Sequence, residues 1–306
     1  MTVTGVVLRS QSGFFWVQTA DAVLRCRLRG RLKKDRQRSD LAVIGDRVEV
    51  EPISPDEGAI TYVHPRQSRF SRQQPGPRGQ WREDVLIANL DQVVIVMACA
   101  NPDWNARMLD RFLMIAEHNQ IAALIVANKT DLLAPAQVAA LVQPYAQIDY
   151  PVFATSTHTG AGIASLRERL AGRVSVFTGM SGVGKSSLLN ALQPGLQLAT
   201  GAVSATLNKG RHTTVVAELH PLPDLGGGYV ADTPGIRELA AWRIPDADVA
   251  WCFREMRPFL GQCEFNNCLH THEPNCAIQA AVATGEISPA RYESYVRILE
   301  KQERSG

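Results

Sequence analysis

The stretch VSVFTGMSGVGKSSLLNAL, residues 174–192, decides the fold of the domain around it. Val174 to Thr178 reads as a buried strand, Gly179 to Ser186 matches the phosphate loop GxxxxGK[ST] in full, and Ser187 to Leu192 continues as a helix. Glycines let the backbone curl so that successive N–H groups converge on phosphate oxygens. Gly179, Ser181, Gly182, Val183, Gly184, Lys185, Ser186 and Ser187 are therefore expected to bind nucleotide. Lys185 would reach the β- and γ-phosphates, and Ser186 would ligate Mg²⁺.

Working outward, the motif upstream supplies the base. Asn128-Lys-Thr-Asp131 follows the apolar run Ile121 to Ala127, at the carboxyl end of a strand, where α/β sheets bind ligands. Asp131 can accept from both N1–H and the exocyclic amine of guanine. Asn128 is expected on the opposite base edge, and the stem of Lys129 on the ring. Ser156 and Thr157, after a short strand at Val152 to Ala154, look like a second base-contacting loop. Downstream, Asp232-Thr-Pro-Gly235 follows the strand Tyr229 to Ala231. Asp232 would hold Mg²⁺ through water, and the Gly235 amide would sense the γ-phosphate. Between these motifs, Lys209-Gly-Arg-His-Thr213-Thr214 supplies a switch threonine for Mg²⁺, either Thr213 or Thr214, with Thr213 preferred. Ile236 stands where Ras-like enzymes orient water with Gln, so His212 is the nearest replacement, its alternative being a turn cap or a partner contact. Lys185, Thr213 and His212 are thus the expected catalytic set, with slow intrinsic turnover that a partner accelerates.

These motifs run in a permuted order. Base reading at 128 and 156 precedes the phosphate loop, and the Asp-x-x-Gly motif comes last. The short connector from Leu170 to Val174 joins what would otherwise be two termini, a cut that compact domains tolerate. The chain then leaves Gly235 almost directly into its C-terminal segment.

The flanks have other characters. Residues 3–63 hold five short strand-like runs punctuated by Gly5, Gly13, Gly45 and Gly58, as in an oligonucleotide-binding barrel, although an SH3-like barrel leaves nearly the same pattern. Arg25, Arg27, Arg29, Arg31, Lys33, Lys34, Arg36 and Arg38 stand there against the single acid Asp35. Such a block suits an anionic partner such as RNA, or a solvated loop. Residues 66–84, rich in Arg, Gln, Ser, Pro and Gly, read as a basic linker. Near the C-terminus, Cys263-x4-Cys268-x-His270-x5-Cys276 gives three thiolates and an imidazole for one structural Zn²⁺, with His272 a rival for His270. Cys26, Cys99 and Cys252 are expected to be buried thiols. Pro289 to Lys301 reads as a last helix.

The whole is a 306-residue chain with 45% hydrophobic and 20% charged residues and a net charge of +2. This suits a multidomain α/β protein: a barrel over 1–66, the basic linker over 67–84, a permuted, doubly wound GTPase domain with a mostly parallel sheet over 85–245, and a helical zinc-binding domain over 246–306. No run of 18 apolar residues and no signal-like N-terminus occurs, so no membrane partner is expected and the cytoplasm is the expected location.

With the motifs NKTD, GMSGVGKSS, GRHTT and DTPGIREL and the Cys₃His segment in place, the chain resembles the ribosome small-subunit-dependent GTPase A family (RsgA, also called YjeQ) over nearly its whole length. The resemblance implies an assembly GTPase that binds the small ribosomal subunit, acts late in its maturation and is stimulated by it. The subunit's rRNA and GTP/GDP are the expected partners, and a monomer is expected. It also implies that His270 rather than His272 is the zinc ligand, and it favours His212 as catalytic. Thr157 departs from the usual Ala or Ser, a change that leaves a backbone N–H contact possible. A switch acting on a protein partner, with the barrel as a protein-binding module, is the rival reading. The two differ in salt dependence, which is steep only where several phosphates are contacted.

Overall fold

The computed structural model describes residues 1–30, 42–75, 81–196, 218–232 and 244–303. Five strands open the chain: β1 (Val3–Gln11), β2 (Phe14–Gln18), β3 (Val23–Leu28), β4 (Arg47–Pro52) and β5 (Glu57–Val63). Ser12 and Gly13, both at positive φ, form the two-residue turn between β1 and β2, a geometry that matches strand twist. The ring order β1-β2-β3-β5-β4 closes through β1–β4 pairing, with only β3–β5 parallel. That is the Greek-key barrel of the oligonucleotide-binding type, and it excludes a mere resemblance of pattern to an SH3-like barrel. Alternation drives it: Val7, Phe15, Val17, Leu24, Cys26, Val48, Val50 and Ile60 point inward and are buried.

Residues 66–84 differ from the linker reading. Within them begin β6 (Arg69–Pro75) and β7 (Trp81–Ala88), which pair antiparallel. Polar composition hid this, because the apolar signal is confined to the base, where Phe70, Ser71, Val85, Ile87 and Ala88 are buried. The hairpin base is fastened to the barrel. The Arg66 guanidinium bonds both carboxylate oxygens of the fully buried Asp46 (2.8 and 2.9 Å), whose Oδ2 also accepts from the Val43 amide. Gly45, at φ +84°, lets Ala88 pass so closely that a Cβ would lie 2.1 Å from its carbonyl oxygen.

The second body is a sheet in the order β10-β9-β8-β11-β13-β12, built from β8 (Gln92–Ala98), β9 (Ala122–Asn128), β10 (Val152–Ala154), β11 (Val174–Thr178), β12 (Glu218–Leu222) and β13 (Gly228–Asp232). It is parallel except for β12. Every residue of β8 is buried, as a strand covered on both faces requires. Helices α1 (Ala106–His118), α2 (Pro135–Ala146), α3 (Ile163–Leu170) and α4 (Lys185–Leu192) supply the covers. α1 starts at Asn105, whose side chain accepts from the Met108 amide, and buries Leu109, Phe112, Leu113 and Ala116. β12 also pairs with β1 at Arg9 and Glu218, so barrel and GTPase sheet are continuous.

The C-terminal segment contains α5 (Asp246–Val249), α6 (Ala277–Thr284) and α7 (Pro289–Glu303). It is locked to α1 by charge as well as by apolar packing. Arg254 and Arg257 both bond the Glu117 carboxylate, at 2.7 and 2.6 Å. The buried Arg291 bridges Asp110 (2.6 Å) and Glu255 (2.7 Å). Such pairs add little net stability but fix register, since a lone buried charge would cost several kcal/mol, on the order of 3–5.

Candidate nucleotide site and metal centre

In the parallel run β10-β9-β8-β11-β13, the carboxyl ends of β9, β10, β11 and β13 deliver Asn128, Thr155, the phosphate loop and Asp232 to one edge of the sheet. The loop after β11 needs glycine at two points. A Cβ on Gly179 would sit 2.2 Å from the Val96 carbonyl oxygen, and one on Gly184 would sit 2.5 Å from Asn128 Nδ2. Gly184 precedes α4, so the first-turn amides at Lys185, Ser186 and Ser187 lack intrahelical acceptors and can face an anion. Lys185 Nζ lies in the loop's concavity, donating to the carbonyls of Gly179 (2.8 Å) and Met180 (2.7 Å). Ser181 and Gly182 are exposed at the loop crest, while Val183 is buried beneath it.

Asn128 has a structural task that its expected place on the base edge did not include. It is fully buried. Its Nδ2 donates to the Val183 carbonyl (2.9 Å), and its Oδ1 accepts from the Thr155 hydroxyl (3.1 Å). Asn128 therefore ties the loop before Lys185 to the loops that carry Asp131 and Ser156. Lys129, in the left-handed region at φ 61°, performs a parallel task. Its Nζ donates to the Gly182 carbonyl (2.7 Å) and to the Asn101 carbonyl. The loop between β8 and α1, with Asn101 and Pro102, is thus a wall of the site that no sequence motif marked. Pro102 Cδ would lie 3.7 Å from a Cβ on Gly182.

Asp131 is open to solvent, so its carboxylate is accessible to a ligand. The buried Ser156 donates its hydroxyl to Asp131 Oδ1 (2.5 Å) and accepts from the amides of His158 and Thr159 at 3.2 and 3.1 Å. This hydroxyl, aided by the charges of His158 and Lys129, holds Asp131 below the usual carboxylate range. Thr157, next in the loop, is half-buried.

Some expected residues lie outside the described ones: Arg31, Lys33, Lys34, Arg36, Arg38, His212, Thr213, Thr214 and Gly235. Arg25, Arg27 and Arg29 stand exposed on or just after β3. Asp232 closes β13, opposite Glu218.

The ligand atoms of Cys263, Cys268, His270 and Cys276 all lie within 4.8 Å of one another. A tetrahedral zinc with Zn–S bonds of about 2.3 Å needs S···S edges of about 3.8 Å. The Cys263–Cys276 sulfurs are 3.8 Å apart, and His270 Nδ1 is 3.4 Å from each. The set fits one structural zinc. The rival His272 is exposed and bonds Thr271. His270 reaches the cluster because its backbone is left-handed (φ 59°) and is clamped on several sides. Glu273 accepts from the amides of Leu269, Thr271 and His272, Tyr292 donates to the His270 carbonyl, and Tyr295 donates to the Leu269 carbonyl. The remaining thiols are buried, and burial pushes Cys26 and Cys99 up to about 11 and Cys252 to about 12, so they are inert as nucleophiles.

Comparison with known proteins agrees with this geometry. A family model described as RsgA GTPase matches residues 63–242, and one described as RsgA N-terminal domain matches residues 4–60. A small ribosomal subunit biogenesis GTPase RsgA of Gemmatimonas aurantiaca is 48% identical over 303 residues, covering 98% of this chain and 97% of that protein. The protein of the same name from Moorella thermoacetica is 45% identical, covering 96% of each. The crystal structure of YjeQ from Thermotoga maritima superposes with a TM-score of 0.79 at 34% identity, covering 99% of each chain. YloQ, described as a circularly permuted GTPase, superposes at 0.75 with 29% identity, covering 100% of this chain and 96% of that one. The chain belongs to the RsgA GTPase family.

Proposed function

We propose that the chain hydrolyses GTP to GDP and phosphate as an assembly factor of the small ribosomal subunit, whose name its relatives carry. One observation carries the nucleotide half of this reading. Asp131, bonded by the Ser156 hydroxyl, and the loop around Lys185 are tied together through Asn128 at one sheet edge. A carboxylate there accepts two guanine hydrogens that adenine does not offer, while the loop amides and Lys185 take the phosphates. Ser186, Asp232 and Thr213 would hold Mg²⁺, which supplies charge neutralisation between the β- and γ-phosphates. His212 would orient the attacking water, because Ile236 has no polar group to do so.

The three-body division, 1–66, 85–245 and 246–306, follows the same reading, with the paired strands β6 and β7 standing at the junction where a free linker was expected. Zinc in the Cys₃His cluster would hold the loop between Cys263 and Cys276 in shape, since the segment has little core of its own. The barrel, through Arg25, Arg27, Arg29 and the basic run after them, and the zinc segment would contact rRNA. No described helix is long and apolar enough to cross a membrane. An assembly factor of the ribosomal subunit would act in the cytoplasm, here as a monomer.

The direct test is binding and hydrolysis of GTP by the full chain beside its Lys185→Ala variant, with ATP as competitor. The expected outcome is GTP selectivity in the wild type and loss of phosphate-dependent affinity in the variant. Equal hydrolysis by both proteins, or displacement of GTP by equimolar ATP, would remove the assignment.

A further inference from the structure

The outer face of the barrel carries an arrangement that the nucleotide site does not use. Cross-strand register places Arg9 opposite Trp16, Trp16 opposite Arg25, and Arg25 opposite Glu57, so one row runs over four strands. Gln11 opposite Phe14 begins the neighbouring row, and Arg27 projects from the same face as Arg25 two residues along β3. The residues between them, Phe15, Val17, Leu24 and Cys26, turn into the core. The Arg9 guanidinium stands 4.7 Å from the Trp16 ring centroid. Those of Arg25 and Arg27 stand 5.3 and 4.3 Å from the Phe14 ring. Neither ring is buried.

Charge on this face is unevenly paired. Arg25 meets Glu57 and Arg29 meets Glu51, whereas Arg9 and Arg27 have no carboxylate within ion-pair distance among the described residues. The result is two aromatic rings, each with a cation beside it, on a net positive surface.

We propose that this face holds unpaired RNA bases, with Phe14, Trp16 and the guanidinium planes of Arg9 and Arg27 as stacking platforms. The inference rests on the reading that the barrel engages rRNA, and it adds which part of the RNA is taken. Phe14 and Trp16 are two residues apart on one strand, about 6.8 Å at a rise of about 3.4 Å per residue. That separation suits splayed bases of a single strand, whose faces are open, whereas a duplex hides its base faces and offers only phosphates and 2′-hydroxyls. A guanidinium lying on a ring presents its other face to a base. An acidic protein would answer the charge but would make no use of ring faces at this spacing.

The test uses the full chain, a labelled unpaired RNA, the same RNA closed into a duplex, and poly-glutamate as competitor. Trp16→Leu and Phe14→Leu should each weaken unpaired RNA about tenfold, the loss of one stacked base. Duplex affinity, GTP affinity and the salt slope should stay, since no charge is removed. A 2-aminopurine in the unpaired RNA should be quenched on the wild-type protein, which tests stacking with no substitution at all. Leucine variants that bind unpaired RNA like the wild type, an unquenched 2-aminopurine at saturation, or displacement by poly-glutamate as effective as by RNA would each overturn the stacking face. Wild-type protein that binds neither RNA nor small subunits would instead overturn the reading on which it rests.

Discussion

Asn128→Ala separates a tether from a base contact. The wild-type amide is fully buried and makes two hydrogen bonds, to the Val183 carbonyl and from the Thr155 hydroxyl. Removing it strands the Thr155 hydroxyl, itself fully buried, and leaves the Val183 carbonyl short of a donor. A buried polar group left without its partner costs about 1–3 kcal/mol, so two such groups suggest a loss of roughly 2–4 kcal/mol after partial relaxation. For a domain of this size each kcal/mol shifts Tm by about 2–4 °C, which gives a drop of roughly 5–15 °C. The assay is thermal unfolding of the nucleotide-free protein, followed by GDP titration of the same sample. A tether predicts lower apo stability together with weaker nucleotide binding, because Gly184 and the loop lose their fixed distance from Lys129 and Asp131. An apo protein that melts with the wild type and loses only nucleotide affinity would refute the geometry and return Asn128 to the base edge.

Other outcomes follow from the same geometry. Asp131→Asn should exchange guanine for xanthine preference, seen as XDP displacing GDP; unchanged GDP affinity would contradict base reading by Asp131. Ser156 lowers the pKa of Asp131, so the ionised carboxylate, and with it GDP affinity, persists above that depressed pKa and fails only as pH falls through it. Ser156→Ala should move this acid limb to higher pH, and coincident pH profiles would count against the hydrogen bond. Cys276→Ala should release one equivalent of zinc per chain and unfold the 263–276 loop while leaving GTP affinity near wild type; a metal content unchanged by elemental analysis would contradict the four-ligand centre.

The phosphate loop, the base motif and the Cys₃His set were legible because each is contiguous, or nearly so, and its backbone demand is written in residue type. Gly179 and Gly184 have no room for a Cβ, and a reader of the sequence needs no partner to suspect it. What was not legible depends on partners far along the chain. Asn128 is satisfied by Val183, 55 residues away, so its burial could not be read from the motif. Asn101 entered the site only because Lys129 reaches its carbonyl. His270 and His272 are equivalent by spacing; the left-handed backbone at His270 and the Glu273 clamp distinguish them. The pairing of β6 with β7 was hidden by polar composition, since its order comes from Phe70 and Val85 at the base and from Asp46–Arg66 beside it. The barrel's ring order, which settles its type, lies in pairing and not in any single strand.

A GTPase whose turnover depends on the small ribosomal subunit should reveal itself in multiple-turnover GTP hydrolysis by the purified chain with and without purified small subunits. The expected result is slow hydrolysis alone, a large acceleration by small subunits, and none by large ones. Fast turnover without subunits, or rates indifferent to them, would contradict it.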